Sequence, residues 1–199
     1  MSRRIVIGID PGKKGAIAAI DVAARLVLGV ATHKKWAAPS EGEGPCASMA
    51  ADLKWPEVMP DMLRAIGARP GDAVEVVTEA PQARPGQSGG AVQGFAAGAL
   101  PAAVVGAVAD VAQRCVVRIE VVTSTVWTKE MGLQTIGADA GQKESVRLAA
   151  RKRARVARVL ELCPAALPML IPAGCRVEQD GAADAILIGL YGAGLGRRT

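Results

Sequence analysis

The chain has 199 residues, enough for one α/β domain with a sizeable core, so we expect a single domain over residues 1–199. Half of the residues are hydrophobic and only 3% are aromatic, which argues against wholesale disorder and predicts a core of Ala, Val, Ile and Leu. The net charge of +5 suits an anionic partner, while four dispersed cysteines and a single histidine support neither a zinc finger nor a disulfide scaffold.

Short β-branched runs separated by turn residues predict strands that alternate with helices. The predicted strands are, in chain order, Ile5–Ile9, Ala16–Asp21, Leu26–Thr32, Val74–Glu79 and Val116–Val122. The predicted helices are Ala47–Ala65, Ala91–Arg114, Ser124–Met131, Lys143–Leu162 and Asp180–Leu195, with Gly/Pro-rich loops at Trp36–Pro45 and Ala80–Gly90. Since the first three strands form an antiparallel meander, the sequence predicts an α/β fold with a central five-stranded mixed sheet flanked by helices.

Four acidic residues stand out by their position. Asp10 ends the first predicted strand and Glu79 ends the fourth, while Asp180 and Asp184 lie four residues apart on one face of the last helix. Carboxylates from separate elements can hold two hard cations for phosphodiester hydrolysis. Taken singly, Asp10 can be a turn former and Asp180 a helix N-cap. An unpartnered charge at Asp184, among apolar residues, would be costly.

Four segments in this order resemble motifs of the RuvC-like Holliday-junction resolvases. They are Ile7–Gly12 with Gly15–Ala18, then Val76–Glu79, then Ala80–Ser88, then Asp180–Ala185 with its continuation to Gly192. The spacing of four between the last two acids is similar to that of the phage RuvC-like proteins and the plant chloroplast resolvase, and it leaves Glu178 as a substitute for Asp180. The resemblance implies a ribonuclease-H-like fold, a homodimer, and paired nicks in a four-way DNA junction.

On this resemblance, Asp10, Glu79, Asp180 and Asp184 would bind two Mg²⁺ ions, with Mn²⁺ as a substitute, and Lys143 would help to stabilise the leaving oxygen. The activity implied is that of a crossover-junction endodeoxyribonuclease of DNA recombination and repair, without a small-molecule cofactor or a membrane partner. The apolar region Ala91–Val111 is the candidate dimer interface. We expect a cytoplasmic bacterial or phage protein, or a chloroplast protein if the sequence is trimmed.

Basic residues concentrate on the predicted helix at 143–162, where Arg147, Arg151, Arg155 and Arg158 recur at helical spacing. Such a stripe is either a phosphate-tracking surface or a solvated helix face. The three tryptophans are interpreted as packing residues and the cysteines as small core residues. The candidate DNA-contacting residues are Lys13, Lys14, Arg84, Gln87, Ser88, Phe95, Lys129, Arg147 and Arg151.

Two alternative functions stay open. One is a ribonuclease-H-like nuclease for other branched or hybrid nucleic acids, since the acids would be shared. The other is a non-catalytic DNA-binding module. A sugar-kinase-like or actin-like ATPase is disfavoured, because such proteins need a second phosphate loop and a longer, two-lobed chain.

Overall fold

The computed structural model describes residues 3–11, 16–32, 36–37, 60–61, 63–64, 69–80, 102–111, 113, 118–134, 141–171 and 180–196. The side chains of residues 32, 36, 37 and 180 lie outside this description.

The strands form one mixed sheet. They are β1 (Arg4–Asp10), β2 (Ala16–Asp21), β3 (Leu26–Thr32), β4 (Trp36–Ala37), β5 (Ala73–Glu79) and β6 (Arg118–Val122), in the spatial order β4-β3-β2-β1-β5-β6. The pairs β1/β2, β2/β3 and β3/β4 are antiparallel, and β1/β5 and β5/β6 are parallel. The five longer strands confirm the predicted mixed sheet, which begins with an antiparallel meander. The two-residue β4 is an addition, because the sequence pattern placed residue 36 in a loop.

Helices flank the sheet. They are α1 (residues 102–111), α2 (Ser124–Glu130), α3 (Glu144–Leu162), α4 (Leu167–Leu170) and α5 (Asp180–Gly192). A 3-10 turn, Pro164–Ala166, leads into α4, and residues 60, 61, 63 and 64 are also helical. None of the helices in the described part of the chain is both long and apolar enough to span a membrane.

Two predicted helices end earlier than expected, and one helical segment was not predicted. The helix predicted to reach Arg114 does not extend through Gln113, whose φ of 51° is left-handed. The last helix ends at Gly192, because Gly194 has a φ of 73° and the Leu195 N–H donates to the Leu190 carbonyl at 2.9 Å, as in a Schellman cap. The segment from the 3-10 turn through α4 was not predicted, since prolines at 164 and 168 obscure the helical pattern.

Two hydrophobic clusters cover the two faces of the sheet. On one face, α2, α3 and α5 pack against Val6, Ala18 and Val77. On the other face, Leu63 and the buried side of α1 pack against Ile7 and Val76. The central strand β1 is therefore apolar at every interior position, and Asp10 at its end is its one acidic residue.

Candidate functional site

Asp10 and Glu79 end two neighbouring parallel strands. The register pairs Gly8 with Val77 and Ile9 with Thr78, so Asp10 and Glu79 follow as the next neighbours along the two strands. Parallel strands lie about 4.8 Å apart, and alternate residues share a face. The two carboxylates therefore start from adjacent positions on the face that α5 covers.

The helix α5 lies against β1 at backbone distance, and this brings Asp184 to the same region. A Cβ on Gly8 would lie 2.2 Å from the Ala185 carbonyl oxygen and 2.3 Å from the Gly189 nitrogen. Ala185 follows Asp184 directly, and Gly8 precedes Asp10 by two residues. Asp184 is only 9% exposed, so its carboxylate is largely removed from water.

Trp127, on the helix α2 that follows β6, forms an aromatic wall beside Glu79. The helix α2 starts two residues after β6 ends, and the Ala80 N–H donates to the Val122 carbonyl at 2.7 Å, so this wall adjoins the end of β5. The Trp127 Nε1–H donates to Glu79 Oε2 at 3.2 Å. Trp127 is fully buried, which confirms the predicted packing role, and its hydrogen bond gives it a polar role that the sequence did not predict.

Arg155 links these groups and is the functional residue that sequence reasoning missed. Its Nη1 donates to Asp184 Oδ2 at 2.5 Å, and its guanidinium carbon lies 5.4 Å from the centre of the Trp127 ring. In the sequence, Arg155 is one member of a basic stripe, and no local signal separates it from the others.

The pKa of Glu79 reflects its burial and the charged and polar groups around it. Burial raises the pKa of the Glu79 carboxyl above its ordinary value, and the negative charge of Asp10 raises it further. The Trp127 hydrogen bond, the charge of Arg155 and a hydrogen bond with Ser124 act in the opposite direction. The net shift of the Glu79 pKa is upward, and burial is its largest cause.

The donor chemistry fits a hard divalent cation. Carboxylate oxygens are the ligands that Mg²⁺ and Mn²⁺ prefer, and the raised pKa of Glu79 identifies a place where added positive charge would be favourable. Among the residues that the structure describes, no group of three acidic, cysteine or histidine side chains has the geometry of a metal site. Asp184 instead contacts Arg155, and the side chain of Asp180 lies outside the description.

The predicted lysines Lys143 and Lys129 are both exposed. Lys143 is the exposed N-cap of α3, twelve residues before Arg155, which corresponds to about 18 Å along a helix axis. Lys129 is exposed on α2. Asp180 is the first residue of α5, one turn before Asp184.

Other predicted residues fall outside the described part of the chain. They are Lys13, Lys14, Arg84, Gln87, Ser88, Phe95 and Glu178. Of the candidate interface at 91–111, the structure describes residues 102–111, and there Val104, Ala107 and Val108 are buried in the chain's own core. These three residues are therefore not free to form a dimer interface, which corrects that part of the prediction.

The basic residues of α3 do not form one solvated stripe. The buried Arg158 pairs with Glu161 at 2.7 Å and donates to the Gly196 carbonyl at 3.2 Å. Arg155 is held by Asp184, and Arg147 pairs with Glu144 on the same helix. Neither interpretation of the stripe, a phosphate-tracking surface or a solvated helix face, fits Arg155 and Arg158, which have structural partners.

The sequence matches no family model and no curated protein. RuvC of T. thermophilus in complex with a Holliday junction substrate is similar in structure, with 16% sequence identity, a TM-score of 0.44, and coverage of 94% of this chain and 90% of that chain. A second Thermus thermophilus RuvC structure has 16% identity, a TM-score of 0.38, and coverage of 97% of this chain and 98% of that chain. At scores this low the likeness decides nothing about activity, which has to be argued from side chains.

Proposed function

We propose that this protein is a Mg²⁺-dependent endonuclease that nicks branched DNA, as a Holliday-junction resolvase. The observation that supports this most directly is the pairing of Asp10 and Glu79 at the ends of β1 and β5, with Asp184 on the helix that packs against β1. Acidic side chains that converge from separate elements, beside a basic helix, suit the hydrolysis of a phosphodiester.

The proposal assigns a role to each side chain at the acidic cluster. Asp10, Glu79 and Asp184, with Asp180 as a further candidate, are the ligands. Two Mg²⁺ ions, replaceable by Mn²⁺, would activate water and stabilise the leaving oxygen, with a 5′-phosphate and a 3′-hydroxyl as products. Trp127 orients the Glu79 carboxylate through its hydrogen bond to Oε2. Lys143 and Lys129 are proposed to contact DNA farther along the strand.

The choice of substrate rests on the motif resemblance and not on the acids alone. The order of the four resembling segments favours a four-way junction and a homodimer, because paired nicks need two active sites. The basic excess of the chain favours a polyanionic partner. A ribonuclease-H-like nuclease for flaps or RNA–DNA hybrids would use the same ligands, so the substrate has to be separated by assay.

The decisive experiment incubates the protein with labelled four-way junction, flap, RNA–DNA hybrid and linear duplex in Mg²⁺. We expect selective nicking of the junction, and a loss of at least about 100-fold on Asp10→Asn or Glu79→Gln, in the range of damage to metal sites. Asp61→Asn is the matched control, because Asp61 is an exposed acid that pairs with Arg64 away from the cluster. Full activity of either site variant would refute the ligand assignment, and preference for another substrate would refute the junction assignment.

A further inference from the structure

A cavity of about 330 Å³ lies between α2 and α3, beside the acidic cluster. Its polar lining consists of three hydroxyls, one amide and two guanidinium groups, from Ser124, Thr125, Thr128, Gln134, Arg151 and Arg155. The described lining includes no carboxylate. A cavity of this size is at the lower end of the range for ligand sites and is too small for a duplex.

Arg151 is the lining arginine that has no acidic partner among the described residues. Its neighbours along the helix face are held by acidic partners: Arg147 pairs with Glu144, and Arg155 pairs with Asp184. Within the described ranges, Arg151 makes no hydrogen bond, ion pair or ring contact. Arg151 is partly buried and lines the cavity, so its charge is available to a ligand without the loss of an existing contact.

The cavity shares a wall with the carboxylates. Ser124 lines the cavity and also forms a side-chain hydrogen bond with Glu79. Arg155 likewise lines the cavity while it contacts Asp184. A group bound at Arg151 would therefore be a near neighbour of a group held at the acidic cluster.

We propose that this cavity binds one backbone phosphate of the DNA strand, adjacent to the phosphate at the acidic cluster, with Arg151 as its main cation and Thr125 and Gln134 as neutral donors. This inference rests on the proposed function, because it needs a polynucleotide at the cluster. A guanidinium with hydroxyl and amide donors matches the oxygens of a phosphodiester. The contact sets the register of the strand and carries no sequence information.

The test compares Arg151→Gln with Arg153→Gln in junction binding without divalent metal. Arg153 is exposed on the same helix and does not line the cavity, so it matches the charge change. We expect Arg151→Gln to reduce the slope of log affinity against log salt by about 0.7–0.9, the value for one lost phosphate contact, and Arg153→Gln to leave the slope unchanged. Thr125→Ala should weaken binding about threefold without a change in slope, because it removes a neutral donor.

A second test replaces single phosphates of the DNA by neutral methylphosphonate linkages, in order to locate the phosphate that Arg151 contacts. In the wild type, neutralising the linkage next to the nicked one should weaken binding, and the same substitution should have no effect on Arg151→Gln. Equal slopes for the two arginine variants, or no linkage that becomes silent in Arg151→Gln, would overturn the inference. So would stabilisation by inorganic phosphate that needs Arg151 while the DNA slope stays unaffected, since the cavity would then hold a free anion. If the wild type binds no nucleic acid at all, the proposed function itself fails.

Discussion

At the scale of single residues, Arg155 is a cation in direct contact with the acidic residues. It contacts Asp184 directly, lies over Trp127, and lowers the pKa of Glu79 against the larger upward effects. A divalent cation and a guanidinium compete for the same carboxylate oxygens. On the proposed function, Arg155 would therefore have two separable effects: it would stabilise the metal-free protein and oppose the entry of metal.

We expect Arg155→Met to lower the free energy of unfolding of the metal-free protein by about 2 kcal/mol. Removal of one partner of a fully buried pair costs roughly 3–5 kcal/mol, and the value here is smaller because 28% of the Arg155 side chain is exposed. The measurement is a urea titration in EDTA. Addition of Mn²⁺ should restore more stability to Arg155→Met than it adds to the wild type, because the ion takes over the role of the lost charge.

Arg155→Lys is the control, since it keeps the charge and loses the planar guanidinium, and it should fall between the two proteins. Equal stability of Arg155→Met and the wild type in EDTA would contradict this account of the contact.

The positions of the acidic residues could be predicted from the sequence, whereas the residues that contact them could not. Asp10 and Glu79 could be predicted because each follows an apolar strand, and the ends of parallel strands meet at one edge. Trp127 and Arg155 could not, since Glu79 and Trp127 are 48 residues apart and Arg155 and Asp184 are 29 apart. Helical spacing assigns a residue to a face but does not say what packs against that face.

At the scale of elements, glycines determine how closely α5 approaches the sheet. Gly8 meets the backbone of Ala185 and Gly189, and a Cβ on Gly192 would lie 2.4 Å from Val77 Cγ2. Side chains at these positions would push the helix away from β1 and β5. Because Asp184 is part of α5, the same displacement would separate it from Asp10.

We expect Gly8→Ala to destabilise the protein by about 3 kcal/mol or more, because the added methyl meets backbone atoms that cannot rotate away. Thermal or urea unfolding measures this directly. Gly106→Ala is the matched control: a Cβ there meets nothing within 4 Å, and alanine favours a helix by up to about 1 kcal/mol, so stability should hold or rise. A neutral Gly8→Ala would show that α5 lies farther from β1.

The elements themselves could largely be predicted. The β-branched runs fixed the five longer strands to within a residue or two, and the turns between the first three implied their antiparallel order. Residues 164–170 were missed because prolines at the start of helical turns resemble helix breakers. The contact of Gly8 with α5 was also invisible, since a glycine in a strand pattern only signals a bulge or a close approach.

At the scale of the whole molecule, an ion-pair cluster joins three strands. Arg4 on β1 contacts Glu75 on β5 at 2.7 Å, and Arg118 on β6 lies 3.8 Å from the same carboxylate. The hydrogen bond from Arg4 lowers the pKa of Glu75 below its ordinary value; burial opposes this, and the charges of Arg4 and Arg118 add to it. The charged form of Glu75 therefore stabilises the folded sheet.

A depressed carboxyl pKa contributes stability above the pKa of the unfolded chain and loses it as pH falls through the folded value. We expect Glu75→Gln to lower the free energy of unfolding by about 1 kcal/mol at pH 7, a modest value because Arg4 is partly exposed. The difference from the wild type should shrink below pH 4.5, the ordinary value, and vanish in stronger acid. Urea titrations at a series of pH values measure it. Arg4→Met should cost little more in the Glu75→Gln background, and a pH-independent difference would refute the linkage.

The overall charge predicted an anionic partner but not its location. The net charge of +5 is a sum, and the structure distributes it unevenly because several arginines of α3 have acidic partners. Which arginine keeps a free charge depends on tertiary contacts with α5 and on pairs within α3. Composition therefore predicts a class of ligand, and the packing leaves Arg151 without an acidic partner among the described residues.

The position of Trp127 has one more consequence. Its indole ring touches the two charges that would change most when a cation enters, since it donates to Glu79 and lies beneath Arg155. Indole emission is sensitive to nearby charge. With Trp36 and Trp55 replaced by phenylalanine, the remaining tryptophan fluorescence would come from Trp127. A change in its emission would then report the binding of a cation at the neighbouring carboxylates.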